Sequence, residues 1–235
     1  MQNILIILML GIGFHFGFAQ STELNDVQKR ELDSVITDCV KKIELDNSIE
    51  TATASTQLLE RLVRKYDDWS SHYYLLYFKI LVIRNAKASE VAQNAYNSFM
   101  VSFDKVLKQS VTDRQKSEIY TLKGFVYLTA LSSDPIKHGR ELAPKVTELF
   151  DKATALYPEN PRPIYLNALF QQGMSKFFNK NYNVCSDLLL ANKYFAMQAN
   201  LRTDYLYPAW GAEHTANEIF DNCNCQVKES STTKN

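Results

Sequence analysis

Apolar residues along most of the chain recur every three or four positions, which is the spacing of one face of an α-helix. The pattern is clear from Leu24 to Leu45, where Asp, Lys and Glu fill the positions between. No part of the N-terminal half alternates apolar and polar residues as a half-buried strand would. Polar turns and capping residues divide the chain into about nine predicted helices, at about 24–45, 48–66, 69–82, 89–107, 112–131, 141–156, 164–178, 184–199 and 208–220.

Short connections between so many helices leave two architectures, a bundle or a solenoid of stacked helix pairs. With only 7 Gly and 6 Pro, a turn-rich β architecture is disfavoured. Lys plus Arg and Asp plus Glu both number 26, so no net charge draws the chain to nucleic acid. Composition therefore favours an all-α globular protein and no nucleic-acid partner.

The N-terminal segment has the pattern of a secretory signal peptide. An unbroken apolar run from Ile4 to Leu10 is followed by small residues at Gly17 and Ala19, which predict a signal peptide over 1–19 cleaved before Gln20. The run is too short for a comfortable transmembrane helix, so we expect no stable membrane span after cleavage. No Lys or Arg precedes the run, which leaves an uncleaved anchor or a buried first helix as alternatives. The prediction is a periplasmic or secreted protein.

Export makes the four cysteines candidates for disulfide bonds. Cys223 and Cys225 are too close in sequence to pair without strain. We predict one bond from Cys185 to this C-terminal pair, with Cys223 as the favoured partner and Cys225 as the alternative. Free thiols buried as small apolar side chains are the alternative for all four, Cys39 included.

The segment from 120 to 163 resembles the tetratricopeptide repeat. The residues that carry the resemblance are Tyr120, Gly124 and Tyr127 for the first helix, and Phe150, Ala153 and Pro158 for the second helix and its end. In this family the Gly lets the second helix approach closely. A weaker copy follows, with Tyr165, Ala168, Ala191 and Phe195, but Leu169 replaces the small residue.

This resemblance implies an all-α fold, a short right-handed α-solenoid of antiparallel helix pairs with a C-terminal capping helix. The repeat domain would span 20–225. Residues 226–235 are polar and without apolar periodicity, and we predict a disordered tail there.

The whole mature chain also resembles a family of exported Bacteroidetes proteins that brings no established activity. Six phrases carry this resemblance by their order along the chain: Phe18-Ala19-Gln20, Asp67-Asp68-Trp69, Asp134-Pro135, Asn160-Pro161-Arg162, Lys176-Phe177-Phe178 and Pro208-Ala209-Trp210-Gly211. The resemblance implies a periplasmic or secreted repeat protein.

Tyrosine and phenylalanine are abundant, with 13 of each. Tyr buries a large area and keeps a polar tip, so it is favoured in binding surfaces. We expect some tyrosines to line the concave groove of the solenoid and to contact a partner; the candidates are Tyr73, Tyr77, Tyr120, Tyr127, Tyr165 and Tyr194. The alternative is ordinary packing between repeats.

Residues 132–140 predict a loop inserted into a repeat, because Asp134-Pro135 is a turn signal. Longer loops often carry function. Asp134 and Arg140 are therefore candidate partner-binding residues, and Arg140, Lys145 and Arg162 together would suit a carboxylate or phosphate. A capped turn with solvated charges is the alternative.

The sequence contains no recognisable catalytic motif, phosphate loop or metal-binding pattern. His72, His138 and His214 lie in different segments and form no ligand pair, so we predict no metal, no cofactor and no enzyme. The predicted function is an exported scaffold that binds a protein or peptide partner in the cell envelope. Two alternatives stay open: a helical enzyme or small-ligand binder with a site at 134–145, and a purely structural envelope protein.

Overall fold

The computed structural model describes residues 24–87, 89–200 and 207–232. Within these ranges the protein is all-helical, as predicted, and contains no β-strand. Its helices are α1 (Asp26–Leu45), α2 (Ile49–Tyr66), α3 (Trp69–Asn85), α4 (Glu90–Gln109), α5 (Asp113–Ser133), α6 (Pro135–Leu156), α7 (Pro161–Phe177), α8 (Val184–Asn200) and α9 (Ala212–Thr232). The predicted signal peptide lies outside the described residues and stays a prediction.

Local sequence sets most of the helix starts. Four residues at or just before the predicted helix starts accept hydrogen bonds from backbone N–H groups in the first turn; they are Ser48, Asp68, Ser89 and Thr112. At α5 the Gln115 side chain also accepts the Thr112 backbone N–H, which completes a capping box. These bonds satisfy N–H groups that have no partner within the helix.

Helix α3 lies at the centre of the protein and packs against α1, α2, α4 and α5. It is apolar on nearly every side, and nearly all of its residues are buried. Even Lys79 is buried, where its ammonium donates to Ser98 at 2.7 Å. Because α3 has no solvent face, the usual rule that one side of a helix is exposed fails here.

Helices adjacent in sequence pack together, and α5 also contacts both α3 and α7. The pair α5–α6 approaches closely at Gly124, where an added Cβ would lie 2.5 Å from the Phe150 ring. This contact confirms the role that the sequence gives to Gly124. It does not by itself establish a repeat architecture.

A disulfide joins Cys185 near the start of α8 to Cys223 in α9, with a Cα–Cα distance of 5.6 Å. The predicted bond is confirmed, with Cys223 rather than Cys225 as the partner. Cys39 is a buried free thiol, which agrees with the alternative given for the cysteines. The bond fixes the last described helix to the rest of the protein.

The predicted loop at 132–140 is wrong, because α6 begins at Pro135 instead of Glu141. Asp134 is the N-cap and accepts the Lys137 N–H at 3.0 Å, while Pro135 occupies the first turn. An Asp-Pro pair suits a helix start as well as a turn, since proline has no N–H to leave unbonded there. Pro144 consequently lies inside the helix rather than in its first turn.

Helix α9 also differs from the prediction, since it continues to Thr232 instead of ending near Phe220. It therefore covers 226–232, most of the segment predicted to be disordered. No Gly or Pro occurs between Ala212 and Thr232 to stop the helix. Among the described residues, no helix is long and apolar enough to cross a membrane.

Candidate functional site

The surface of α3, α5 and α7 is partly covered by residues 207–211, which we call the covering segment. The Ala209 N–H donates to the Tyr74 hydroxyl at 2.9 Å, and the Trp210 Nε1 donates to the Tyr73 hydroxyl at 2.8 Å. The Tyr207 hydroxyl donates to Glu118 Oε1 at 3.2 Å. The segment thus binds to α3 and α5 through hydrogen bonds with buried polar side chains.

Glu118 of α5 and Arg162 of α7 form a fully buried ion pair beneath this segment, with Nη1 and Oε1 3.0 Å apart. Arg162 Nη2 also donates to the Pro208 carbonyl, and the second oxygen of Glu118 accepts the Tyr73 hydroxyl at 3.0 Å. Burial, and next the charge of Glu118, raise the pKa of Tyr73 well above its usual value. Removing either charge would leave the other buried and unpaired, which is costly.

Trp210 is the main apolar contact of the covering segment. Its ring stacks on Tyr77 at a centroid distance of 4.7 Å and on Phe125 at 5.9 Å. The next residue, Gly211, has a φ of 102°, and a Cβ there would lie 2.9 Å from Phe195. Only glycine adopts that conformation freely, so this position fixes how the chain leaves Trp210 and enters α9.

A cleft opens beside Trp210, with about 370 Å³ of empty volume including its open mouth. Residues from α3, α5, α7 and α9 line it: Tyr77, Arg84, Phe125, Tyr165, Leu166, Leu169, Trp210, Gly211 and His214. Most of these are aromatic or aliphatic. That volume includes open solvent, so the enclosed space is smaller. The lining is apolar with a few polar groups, as in small-molecule sites.

Arg84 and His214 supply the polar groups of the cleft. Arg84 donates to Asn47 Oδ1 at 2.7 Å. His214 is an exposed side chain, but desolvation by the protein around it, and next the charge of Arg84, lower its pKa. Nearby, desolvation and the charge of Glu213 raise the pKa of Glu44. The cleft thus combines an apolar interior with a permanent cation and a neutral imidazole that acid would protonate.

Four of the predicted partner-binding residues are buried among other residues of this chain. Tyr77 and Tyr165 lie in the wall of the cleft, and burial raises the pKa of both hydroxyls. Tyr73 and Arg162 lie in the hydrogen-bonded core below the covering segment. These four residues lie in one region, where they contact other residues of the same chain. Arg162 is thus near the tyrosines and not at an anion site with Arg140 and Lys145 as predicted.

The other four predicted residues lie at the surface. Tyr120 and Tyr127 of α5 are half-buried, with Lys152 Nζ 4.2 Å from the centre of the Tyr120 ring and Lys145 Nζ 6.0 Å from that of Tyr127. Asp134 and Arg140 are exposed at the start of α6. Their role in partner binding stays a prediction.

The anion site predicted for Arg140, Lys145 and Arg162 does not form, because the three side chains lie in different surroundings. Lys145 pairs with Glu141 at 2.7 Å, whereas Arg162 is buried against Glu118. Tyr194 is half-buried on α8. Among the residues that the structure places, no group of three His, Cys, Asp or Glu could hold a metal ion.

Arg84, Phe125 and Trp210 are not among the site residues predicted from the sequence. His214 is considered there only as a metal ligand. The phrase Pro208-Ala209-Trp210-Gly211 was a signal, but the sequence places it inside a last helix. Arg84 is one charge in the final turn of a helix and carries no pattern of its own. The cleft depends on helices far apart in sequence, which no local pattern reveals.

No protein-family model matches the chain, and no curated protein matches it in sequence. A solved structure, the HusA haemophore from Porphyromonas gingivalis, is similar with a TM-score of 0.65 and 16% sequence identity. The likeness covers 88% of this chain and 96% of that one. At this identity it establishes a shared helical fold. Its source is a member of the Bacteroidetes, the group of the proteins that the sequence resembles.

Proposed function

We propose that the protein is a non-catalytic, exported binding protein whose cleft holds a flat apolar ring carrying acidic groups, of the porphyrin class. The observation that carries the proposal is the cleft itself, which is lined by the rings of Tyr77, Phe125 and Trp210 together with Arg84. Aromatic walls favour a planar ring through stacking and burial. Arginine favours a carboxylate.

The similar structure supports this choice of ligand class, since that protein is called a haemophore. A porphyrin combines a large flat ring with carboxylates at one edge, which matches the two parts of the cleft. The open mouth would leave part of such a ring outside the cleft. Recognition would then depend on the ring and its acids, and a metal at the centre would add little.

Export and a solenoid arrangement are parts of the same proposal. The Cys185–Cys223 disulfide supports an oxidising compartment, periplasmic or extracellular. The contacts α3–α5 and α5–α7 support a stack of helix pairs with the odd-numbered helices on its inner side. In that arrangement the cleft lies on the inner surface, where repeat proteins hold their ligands.

The test is an absorbance titration of the purified protein with haemin and with metal-free protoporphyrin. We expect both to bind with similar affinity, and Arg84→Gln to weaken binding about tenfold through loss of a charged contact. Leu169→Gln should also weaken binding, because Leu169 lines the cleft. Arg140→Gln and Val101→Gln, at exposed positions outside the cleft, serve as matched controls.

Two outcomes would contradict the ligand proposal. One is absence of binding by either compound, and the other is binding that the cleft variants and the controls affect equally. Binding of haemin alone, lost in His214→Ala, would indicate ligation of iron and contradict recognition through the ring and its acids.

A protein or peptide partner in the cell envelope is the second candidate. The half-exposed Tyr120 and Tyr127, each with a lysine near its ring, support a contact surface on α5 and α6. Crosslinking in the native host should then enrich one envelope protein and lose it in Tyr120→Ala/Tyr127→Ala. If neither a porphyrin nor a protein is found, a purely structural role is favoured.

A further inference from the structure

The turn between α7 and α8 presents two adjacent aromatic side chains to solvent. Phe177 is 61% exposed and Phe178 is 56% exposed, and their rings meet edge to face at 5.1 Å. Single exposed apolar residues are common, but two adjacent exposed aromatic rings suggest an interaction site. Lys176-Phe177-Phe178 is one of the phrases that carry the sequence resemblance, and none of its residues lines the cleft.

Backbone hydrogen bonds hold this tip in one conformation. The Phe178 N–H donates to the Met174 carbonyl at 3.0 Å, and the Lys180 N–H donates to the Ser175 carbonyl at 2.8 Å. Asn179 has a φ of 51°, a conformation that asparagine tolerates better than most residues. The two rings are therefore displayed on a formed turn, so little order must be gained on binding.

The helices behind the tip are fixed to α9. Gln172 Nε2 of α7 donates to Asn222 Oδ1 at 2.8 Å, and Cys185 of α8 is bonded to Cys223. The tip is thus a projection from a braced part of the protein.

The charged residues next to the tip along the chain are all basic. Lys176 and Lys180 flank the two rings, both are exposed, and neither forms a salt bridge with any residue that the structure describes. No Asp or Glu occurs between Glu159 and Asp187, although the chain overall has equal numbers of acids and bases. Apolar rings flanked by cations are complementary to an anionic, partly apolar surface.

We propose that the tip, residues 176–180, docks the protein on a bilayer with anionic phospholipid headgroups. Phe177 and Phe178 insert into the interfacial region, while Lys176 and Lys180 contact phosphates. A bilayer fits better than a protein groove because the exposed tip side chains combine large apolar surface with unpaired cations, and the Asn179 amide is compatible with headgroups. The contact is interfacial and reversible, and it does not depend on the ligand of the cleft.

The test is co-sedimentation of the full mature chain with vesicles of phosphatidylcholine containing about 30% phosphatidylglycerol. We expect binding to these vesicles, weaker binding to pure phosphatidylcholine, and release at about 0.5 M salt. Phe177→Ser/Phe178→Ser should lower the partition coefficient by about tenfold or more. Lys176→Gln/Lys180→Gln should lower it about tenfold on anionic vesicles only.

The matched control is Val101→Ser/Ile136→Ser, which removes two exposed apolar side chains elsewhere and should leave partition unchanged. Phe178→Trp gives a second readout that removes no aromatic ring, since brominated lipids should quench the fluorescence of the introduced indole. Trp210 is buried and Trp69 is half-buried, so the parent protein should be quenched far less. Circular dichroism and intact mass of every variant exclude misfolding.

A parent protein that stays in the supernatant would overturn the proposal, as would equal binding by tip and control variants. If brominated lipids quench the Phe178→Trp variant no more than the parent, or if the tip variants lose a crosslinked envelope protein without any vesicle binding, the tip belongs to a protein partner. The porphyrin titration uses no lipid, so the two proposals fail separately.

Discussion

The surface formed by α3, α5 and α7 has two halves, one covered by the chain itself and one open. Around Tyr73 and Tyr74 the covering segment seals the surface, and the buried Glu118–Arg162 pair is bonded on several sides. Around Tyr77 and Arg84, one to three turns further along α3, the same surface is open as a cleft. Trp210 is the boundary, because it belongs to the covering segment and also forms a wall of the cleft.

The difference teaches which half can serve a ligand. In the sealed half the polar groups of Tyr73, Glu118 and Trp210 already bond to one another, so a ligand would have to replace those bonds. In the open half a cleft remains between the side chains, and Arg84 is one of the residues that line it. Predictions about stability therefore concern the sealed half, and predictions about binding concern the cleft.

The largest expected effect is in the sealed half. Arg162→Ala should lower the free energy of unfolding by about 3–5 kcal/mol, because the Glu118 carboxylate is left buried and unpaired. Urea denaturation followed by circular dichroism measures this. Lys145→Ala removes an exposed pair with Glu141 and should leave the free energy of unfolding nearly unchanged. Equal losses of unfolding free energy in the two variants would contradict the larger contribution that burial gives to the Glu118–Arg162 pair.

Loss of the disulfide should have the next largest effect. Cys185→Ser/Cys223→Ser frees α9, which begins directly after the covering segment, and should cost about 3–4 kcal/mol for a loop of this length. Denaturant unfolding checks the size of the loss. Intact mass should reveal one disulfide in the parent and none in the variant. If reduction leaves the mass of the parent protein unchanged, the parent contains no disulfide.

The next expected effect is smaller and concerns stability: Gly124 of α5 and Gly173 of α7 should respond differently to substitution by alanine. Gly124→Ala places a methyl group against the Phe150 ring and should cost about 1–3 kcal/mol. Gly173→Ala places it in open space and should stabilise α7 by up to about 1 kcal/mol, because alanine favours the helix. Thermal unfolding of the two variants should shift in opposite directions. Shifts of the same sign would contradict the close contact at Gly124.

The smallest expected effect is a pH dependence confined to the open half. Folding lowers the pKa of His214, so its contribution to stability is present above the unfolded value of about 6.5 and falls as pH drops below it. The affinity for an acidic ligand has the opposite pH dependence, since a protonated His214 adds a second cation at the cleft. Porphyrin affinity should rise between about pH 7.5 and pH 5.5.

His214→Asn is the control for that pH dependence. It should flatten the profile after correction for the acids of the ligand itself, which titrate equally with both proteins. An unchanged profile would exclude His214 from the binding site.

Several parts of the fold could be predicted because their causes are local. A capping side chain bonds to its own helix, so Asp68 and Thr112 could be identified from neighbouring residues. Gly124 could be identified because its spacing from two tyrosines is characteristic of a close helix pair. Asp134-Pro135 failed as a loop signal because the same two residues suit a helix start, and only the packing of α6 on α5 favours one over the other.

The sequence by itself determined the all-helical class and most helix boundaries, and it limited the disulfide partners of Cys185 to Cys223 or Cys225 while leaving free thiols as an alternative. Only the tertiary structure decided which aromatic residues face solvent, which are buried and where a cleft remains. Helical periodicity identifies the apolar side of a helix, but it does not say what covers that side. Trp210 contacts Tyr73 across 137 residues of chain, and contacts over that distance arise from packing alone.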